Sequence, residues 1–455
     1  MAVVGYSKSD FGEKLSQVVS PAEPIHSIEN LVGREKELDR IEEALYAHGR
    51  HIFIYGHRGV GKSSVAATAA NQYQSSDSEY IDVSCSPDAT LASIVANIAY
   101  QAVNASRIRS SSSQTKSSLK LKYLNFEGST TQSVFDLNER IKTLTDAIEI
   151  LREVAEVHSE KPIVVLDEFD RIECPKERAK FADVLKHLGD KRISLKFIFT
   201  GVASSLDELL GSHSSAIRQL ETIDLPKLSW DARWNITVRA LAAFDITINK
   251  EISIRIAAIS DGYPYYVHLI TEKLMWHIFR QDEEVTSVST DHYYSALKEA
   301  IDSIHAELRR PYELATNQQS GDYEEVLWST ADSEYLQRYL KDMYTSYKYV
   351  VNQLKGKEPL PYVKYSARIR SLGKGCNGAI LVPEERKGMY SYKEKMLRGY
   401  GRMQAEANGV ELLGEEAAAP ERQVMHTTAR ANTGYYQSTI PPGVHFGRDR
   451  ASNDE

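Results

Sequence analysis

The chain has 455 residues, of which 42% are hydrophobic and 26% charged, so it has the composition of a globular protein with room for two or three domains. Its net charge of -8 excludes a protein that is basic over its whole surface, and its three scattered cysteines argue against a disulfide framework or a cysteine-ligated zinc site. We find neither a signal-peptide pattern nor an apolar run of membrane-spanning length, so we expect a cytoplasmic protein with no membrane partner.

The N-terminal segment changes character near residue 26. Residues 1–25 show no helical or strand period and end in a Pro-containing breaker cluster, so we expect an extended lead-in. The next segment has Leu38, Ile41 and Leu45 on one helical face, and it leads into His51–Tyr55, whose branched and aromatic side chains predict a buried strand. We therefore begin the first folded domain at residue 26.

The stretch after this strand has the pattern Gly-x-x-x-x-Gly-Lys-Ser and is followed by an Ala-rich helical segment. Strand, glycine loop and helix together are typical of a phosphate-binding P-loop, in which loop N–H groups and the helix N-terminus point at phosphates. Lys62 would reach the β- and γ-phosphates of ATP, and Ser63 would offer its hydroxyl to Mg²⁺. The alternative is a chance glycine-rich turn. The residues expected to contact the nucleotide here are Gly56, Gly59, Val60, Gly61, Lys62, Ser63 and Ser64.

Four more strands are predicted downstream, separated by helical stretches. The strands fall at residues 79–85, 163–169, 195–200 and 221–225, and the helices at residues 91–103, 137–155, 181–188 and 204–210. A Ser-rich stretch at residues 104–131 interrupts them, and we expect a flexible surface insertion there. This alternation predicts an α/β fold, with a parallel sheet covered by helices on both faces, for a core domain at residues 26–228.

Polar residues stand where two of these strands end, at the sheet edge where ligands bind. Asp167 follows four apolar residues and could hold Mg²⁺ together with Ser63, whereas Glu168 could polarise a water for attack on the γ-phosphate. An acidic turn that caps the next helix is the alternative. Thr200 could position the attacking water or the γ-phosphate, or it could simply be a β-branched residue that closes a strand.

Arg218 lies shortly before the last predicted strand of the core. An arginine in this position could reach the γ-phosphate in a neighbouring subunit, as an arginine finger does. A solvated surface arginine is the alternative, so the sequence leaves both roles open.

The C-terminal half is predicted to be helical at first and basic later. Residues 229–305 are helical with a break at Gly262–Pro264, residues 306–405 form a third domain, and residues 406–455 form a tail that we expect to be largely unfolded. From Arg338 to Arg402 there are 15 Lys and Arg against five Asp and Glu, a local balance of +10 that leaves -18 for the rest of the chain. This asymmetry indicates an anionic partner for the third domain.

The order of elements in this basic domain is that of a winged helix-turn-helix. A helix at Tyr362–Leu372 is followed by strands at residues 379–382 and 389–392 with a charged turn between them. Such a helix and wing would place their cations on DNA phosphates. Winged helices also dock proteins, and a Lys-rich helix is often only a solvated face, so both alternatives stay open. The residues expected to contact DNA are Lys364, Arg368, Arg370, Arg386 and Lys387.

Taken together, the segments GHRGVGKS and VVLDE, the polar strand end at Thr200 and the helical lid resemble the AAA+ ATPases, which implies an ATPase core. Residues 32–38 resemble a box shared by the replication-initiator clade and the STAND switch ATPases, and Gly262–Pro264 resembles the GxP motif of STAND lids. The resemblance implies that Val32, Gly33, Arg34 and Pro264 lie beside the nucleotide. It covers residues 28–305, and the winged-helix order of elements extends it to residue 405.

Two features depart from these families. No Arg lies between Ser260 and His268, where an initiator-type lid carries one that touches the γ-phosphate, and no fixed-period repeat follows as in most STAND proteins. Two hypotheses follow. The first is a DNA-associated ATPase that assembles as a homo-oligomer through Arg218. The second is an ATP-dependent switch that controls a partner effector protein, with slow hydrolysis or none.

Overall fold

Five strands form a parallel sheet in the order β2-β3-β4-β1-β5. They are β1 His51–Tyr55, β2 Ile81–Ser84, β3 Ile163–Asp167, β4 Lys196–Gly201 and β5 Leu220–Asp224. The first residue of each strand lies within two residues of the predicted first residue. The computed structural model describes residues 3, 5–74, 78–112, 124, 134–204, 206, 216–317 and 321–412, without the side chains of 106–112, 216 and 217. These residues belong to one unit that spans Met1–Glu415, and a second unit, Glu416–Glu455, lies outside them.

Helices cover both faces of the sheet because alternate residues of each strand belong to two different cores. The helices that precede the lid are α1 Lys8–Val18, α2 Glu35–Tyr46, α3 Lys62–Tyr73, α4 Leu91–Ser112, α5 Val134–Arg140, α6 Leu144–Val157 and α7 Pro175–Asp190. Ile52 and Ile54 of β1 pack in the core that includes α2 and α3, and Phe53 packs in the core that includes α4, α6 and α7. The predicted α/β fold is confirmed.

The N-terminal segment is not the extended lead-in that we expected, since it contains helix α1. Ser7 caps this helix by accepting a hydrogen bond from the N–H of Asp10. Phe11 and Leu15 are buried, and the ring of Phe11 lies 4.3 Å from that of Phe279 and 5.0 Å from that of Trp276. The helix is stabilised by an aromatic cluster 230 and more residues away, which a local pattern does not reveal.

Two helix predictions need correction. Residues 137–155 form two helices rather than one, because Thr143 and Asp146 make a capping box that begins α6 afresh after α5. The first residues of the Ser-rich insertion continue α4 as far as Ser112. The rest of the insertion, apart from Leu124, and most of the predicted helix at residues 204–210 lie outside the described residues.

Four helices follow the sheet in the region predicted to be helical: α8 Trp230–Ala242, α9 Lys250–Ile259, α10 Pro264–Phe279 and α11 Thr290–Ser303. Ser229, Asn249 and Ser289 accept N-terminal capping bonds at three of them. Helix α10 begins at Pro264 and is buried on most of its surface, so it forms the centre of this lid. No described helix is long and apolar enough to cross a bilayer.

A unit of helices and strands at residues 306–412, which we call the C-terminal unit, completes the described chain. Its elements are α12 Ala306–Thr316, α13 Tyr323–Ala331, β6 Gln337–Tyr339, α14 Leu340–Asn352, α15 Tyr362–Ser371, β7 Leu381–Pro383, β8 Met389–Tyr392 and α16 Leu397–Ala407. The three strands pair antiparallel in the order β6-β8-β7. The predicted basic helix and hairpin therefore both exist. Beyond residue 412, the predicted tail lies outside the described residues.

Candidate functional site

The glycine loop joins β1 to α3 at the carboxyl edge of the sheet. Gly61 precedes the first residue of α3 with a φ of 95°, a conformation that favours glycine. A Cβ atom at Gly56 would lie 2.6 Å from the carbonyl oxygen of Leu225, the residue that follows β5, so only glycine lets the loop pass this backbone. The loop N–H groups and the N-terminus of α3 form a suitable anion site.

The side chain of Lys62 folds over this loop. Its Nζ donates to the carbonyl oxygens of Gly56 and His57, both at 3.1 Å. Burial lowers the pKa of Lys62, while Asp170, Asp167 and Glu168 oppose that shift. The ammonium group thus lies between the loop and a group of acids.

Ser63, Asp167 and Thr200 meet although they are far apart in the chain. The Ser63 hydroxyl donates to Oδ1 of Asp167 at 3.0 Å, and the Thr200 hydroxyl donates to the same oxygen. Thr200 also accepts the backbone N–H of Glu168 at 3.0 Å. Because β1, β3 and β4 are neighbours, their carboxyl ends bring these three residues together, as the sequence predicted.

Glu168 is held in a distinct conformation just beyond Asp167. Its backbone has a φ of 54°, in the left-handed region that non-glycine residues seldom adopt, and such strain is often found at functional sites. The side chain is about half exposed, and Oε2 pairs with Nη1 of Arg171 at 2.8 Å. Arg171 therefore holds the Glu168 carboxylate in this structure.

The oxygen atoms at the loop suit Mg²⁺ better than a transition metal. Ser63 and Asp167 offer one hydroxyl and one carboxylate 3.0 Å apart. Within the described part of the chain, no group of three or more His, Cys, Asp or Glu could hold a metal ion by itself. Mg²⁺ commonly uses one or two carboxylates and completes its shell with water and phosphate oxygens, so these residues fit it.

An apolar cavity lies beside the loop, between the core and the lid. Its volume is about 30 Å³, room for one or two water molecules. Pro264 lies on the loop side, 3.7 Å from where a Cβ of Gly61 would be. The lining residues are Ile25, Asn30, Leu31, Val32, Arg34, Val60, Gly61, Ser64, Leu228, Ile236, Pro264 and His268.

Arg34 joins the loop to the start of the lid. Its guanidinium is buried, and Nη2 donates to the carbonyl oxygens of Val60 at 2.9 Å and Pro226 at 2.8 Å. A Cβ at the neighbouring Gly33 would lie 2.3 Å from that of Ala232 in α8, so the absence of a side chain allows this close approach. The segment that resembles a nucleotide-binding box therefore lies beside the cavity and ties core to lid.

The residues before this box also reach the site. The N–H of Ile25 donates to the Ser64 hydroxyl at 3.1 Å, and the Thr68 hydroxyl donates to the Ile25 carbonyl oxygen at 2.9 Å. No sequence pattern signals this contact, because backbone groups of an irregular segment make it. The N-terminal segment is thereby one wall of the cavity.

The C-terminal unit packs against the lid through a buried ionic cluster. Arg398 of α16 binds Asp261 by two hydrogen bonds of 2.7 and 2.6 Å, and both side chains are 1% exposed. Lys227 and Arg402 lie 3.0 and 3.5 Å from the same carboxylate. Burial alone would raise the pKa of Asp261, but Arg402, Arg398 and Lys227 hold it below its ordinary value.

The same unit reaches the glycine loop itself. A Cβ at Gly59 would lie 2.4 Å from Sδ of Met396, which directly precedes α16. On the lid side, the Tyr266 hydroxyl donates to the Met396 carbonyl oxygen at 2.7 Å. Sequence reasoning missed these contacts and the ionic cluster, since Met396, Arg398 and Arg402 are more than 100 residues away from their partners Gly59, Tyr266 and Asp261.

Arg218 lies in a short 3₁₀ turn, Ala216–Gln219, and is exposed. This turn leads directly into β5, the strand at one edge of the sheet. The side chain is therefore on the outer surface of the core, apart from the cluster formed by Ser63, Asp167 and Thr200.

The basic residues of the C-terminal unit divide into two groups. Lys364 and Arg370 on α15 and Arg386 and Lys387 in the turn between β7 and β8 are exposed. Arg368 instead pairs with Asp322 at 3.2 Å and stacks on Tyr323. Three further arginines lie in the interior, so the local balance of +10 overstates the charge on the surface of this unit. The buried or nearly buried members are Arg338, Arg398 and Arg402.

Comparison with known proteins agrees with this fold. Residues 30–198 match the family model described as AAA ATPase domain. The structure of the Walker-type ATPase PABY2304 of Pyrococcus abyssi is similar, with 15% sequence identity and a TM-score of 0.50. The match covers 84% of this chain and 98% of the Pyrococcus abyssi chain. At that identity it shows the fold alone. No curated protein matches the sequence significantly.

Other solved structures are similar at lower scores. Cdc6p from Pyrobaculum aerophilum has 15% identity and a TM-score of 0.44, covering 87% of this chain and 99% of its own. The Aeropyrum pernix ORC1 protein in complex with DNA has 17% identity and a TM-score of 0.40, covering 83% and 93%. The sheet and the glycine loop show that the chain has the fold of P-loop NTPases, and residues 30–198 are similar to the AAA ATPase domain family.

Proposed function

We propose that the chain is a Mg²⁺-dependent enzyme that binds and hydrolyses ATP, and that its nucleotide state drives assembly on DNA through the C-terminal unit. The observation that carries the ATPase part is the convergence of Ser63, Asp167 and Thr200 at the glycine loop. The proposed domains are a core at residues 26–228, a lid at 229–305 and a winged helix at 306–405. We further propose that the protein acts in the cytoplasm.

In this proposal each polar residue has one task. The loop N–H groups and Lys62 bind the phosphates, and Ser63 and Asp167 would hold Mg²⁺, which would supply positive charge beside the phosphate oxygens. Glu168 accepts a proton from the water that attacks the γ-phosphate. The Thr200 hydroxyl is already bonded to Asp167 and to the Glu168 N–H, which supports a positioning role for it.

Removal of the Lys62 ammonium is expected to weaken ATP binding by about 10- to 100-fold, since a charge-assisted hydrogen bond to phosphate is lost. The measurement is titration of Lys62→Ala with ATP and Mg²⁺, beside turnover with and without duplex DNA. Lys176→Ala, an exposed lysine on α7, is the matched control and should bind like the wild type. Equal affinity of Lys62→Ala and the wild type would remove Lys62 from the phosphate site.

The DNA part of the proposal is supported by four exposed cations on one helix and one turn of the C-terminal unit. A helix followed by two strands of a three-stranded antiparallel sheet, with a charged turn between those two strands, is the order in which winged helices present a helix and a wing. Exposed Tyr362 and Val363 at the start of α15 add apolar surface beside Lys364. Arg218, exposed near an edge strand, is proposed to act on a neighbouring subunit in a homo-oligomer.

The double variant Lys364→Gln/Arg370→Gln is expected to weaken duplex DNA binding and to lower the slope of log affinity against log salt by about 2, one for each phosphate contact. Arg368 is left intact because its loss would also break the pair with Asp322. The measurement is fluorescence anisotropy at several salt concentrations. Lys176→Gln/Lys186→Gln changes the charge equally on α7 and should leave the slope unchanged; an unchanged slope in the first variant argues against DNA contact by α15.

A second function, an ATP-dependent switch that controls an effector protein, is favoured by a different observation. The C-terminal unit touches both the glycine loop, through Met396, and the lid, through Arg398. A unit packed in this way can change position with the bound nucleotide without turnover. ATP-dependent capture of a protein partner without DNA would support the switch over the DNA-linked ATPase.

A further inference from the structure

Helix α15 of the C-terminal unit has one buried face and one exposed face. On the buried face, Tyr365 and Ile369 are 0% exposed, and the Tyr365 hydroxyl is hydrogen-bonded to that of Ser329 in α13 at 2.9 Å. These contacts fix the rotation of the helix about its axis, so the opposite face is a defined part of the protein surface. The side chains on that face are all exposed and follow one another at helical spacing: Val363, Lys364, Ala367 and Arg370.

Val363 is the most exposed large hydrophobic side chain among the described residues, at 75%. The residue before it is held in place, because the ring of Tyr362 lies edge-on to that of Tyr344 at 5.1 Å. The Tyr344 hydroxyl in turn donates to the carbonyl oxygen of Leu360 at 3.0 Å, so the start of α15 is tied to α14. An apolar group is therefore presented to solvent from a fixed backbone, which limits the entropy that a partner loses on binding it.

Positive charge surrounds this apolar group. Residues 361–383 contain four Lys and Arg and no Asp or Glu. Arg368 pairs with Asp322, whereas Lys364, Arg370 and Lys374 are exposed. A surface with this charge is complementary to a polyanion, and the major groove of B-DNA is wide enough to admit an α-helix.

We propose that Val363 contacts thymine methyl groups in the major groove of duplex DNA, and that this contact makes the C-terminal unit prefer A·T base pairs. The inference rests on the proposed function, because it takes duplex DNA as the partner. Thymine is the base that presents a methyl group in this groove, and apolar side chains are its usual contacts. In helix-turn-helix proteins the N-terminal residues of the recognition helix contact base edges, and Val363 lies in the first turn of α15. Lys364 and Arg370 then bind phosphates, which position the helix but do not read the sequence.

The experiment measures the affinity of the full chain for an A·T-rich duplex of about 30 base pairs and for a copy in which uracil replaces every thymine. The two duplexes differ only in the methyl groups. We expect the wild type to bind the thymine duplex about fourfold more tightly for each methyl group that Val363 covers, the gain typical of burying one methyl. Val363→Ser should bind both duplexes equally, and Val363→Ile should keep the preference because it keeps the apolar contact.

The matched control is Val238→Ser, which changes a 40% exposed valine on α8, outside the C-terminal unit, and should prefer the thymine duplex as the wild type does. The slope of log affinity against log salt should be the same for Val363→Ser and the wild type, since no charge is removed. This readout separates base contact from the phosphate contacts of Lys364 and Arg370.

The inference is overturned if Val363→Ser still prefers the thymine duplex. It is also overturned if the wild type binds both duplexes equally with a salt-dependent affinity; that result leaves the DNA part of the proposed function intact and makes the exposed face of α15 a surface for a protein partner. A wild type that binds neither duplex overturns the DNA part of the proposed function together with this inference.

Discussion

Glu168→Gln is expected to lower the ATP turnover number by about 10²- to 10⁴-fold, the usual contribution of a general base. The amide cannot accept the proton of the attacking water, but it keeps the size of the side chain. ATP affinity should stay close to that of the wild type, because Lys62 and the loop are unchanged. The measurement is steady-state phosphate release beside direct titration with ATP and Mg²⁺.

The control for this substitution is Glu173→Gln, which removes an exposed carboxylate five residues further along the chain. It should turn over ATP as the wild type does. If the wild type binds ATP but hydrolyses it no faster than Glu168→Gln, the general-base role fails and the switch becomes the better hypothesis. If both variants lose turnover equally, the loss reflects local charge rather than proton transfer.

Arg398→Met is expected to lower the free energy of unfolding by about 3–5 kcal/mol, because it removes one partner of a fully buried ion pair and leaves Asp261 short of compensation. The methionine retains much of the apolar stem, so the loss of charge dominates. Chemical denaturation measures the effect. The loss of the link between α16 and Asp261 should also make the C-terminal unit more sensitive to limited proteolysis.

Two further variants make this expectation specific. Asp261→Asn combined with Arg398→Met should cost less than the sum of the two single substitutions, because both remove the same ion pair, although Lys227 and Arg402 then lose their carboxylate as well. Arg280→Met breaks the exposed pair with Glu299, in which Arg280 is 58% exposed, and should cost less than about 1 kcal/mol. A cost at Arg398 no larger than that at Arg280 would show that the buried cluster does not join the two units.

Much of the core could be predicted because its signals are local. The strand His51–Tyr55 was predicted with the bounds that the structure has, and the Gly56–Ser63 loop follows it as expected. Asp167 and Thr200 could be placed together because parallel strands end at one edge, so three separate strand ends become one site.

Other expectations failed where distant parts of the chain decide the outcome. Helix α1 depends on rings of the lid against Phe11, and no period within residues 1–25 reveals those partners. The basic surplus of the C-terminal unit indicates an anionic partner, and the structure shows that part of it, Arg398 and Arg402, instead binds Asp261 inside the protein. Charge counted along a sequence does not distinguish a surface cation from one that is buried with a carboxylate.

The sequence by itself determined the nucleotide loop, the acids that follow it, the alternation that builds the sheet, and the basic helix and hairpin near the C-terminus. These are contiguous patterns whose physics acts over one strand, one loop or one turn of helix. Only the tertiary structure decided that Ser20 holds His268, that Arg398 reaches Asp261, and that Met396 lies on Gly59. Such contacts join residues more than 100 positions apart, and their partners are chosen by packing and by the cost of burying an unpaired charge or donor rather than by any local pattern.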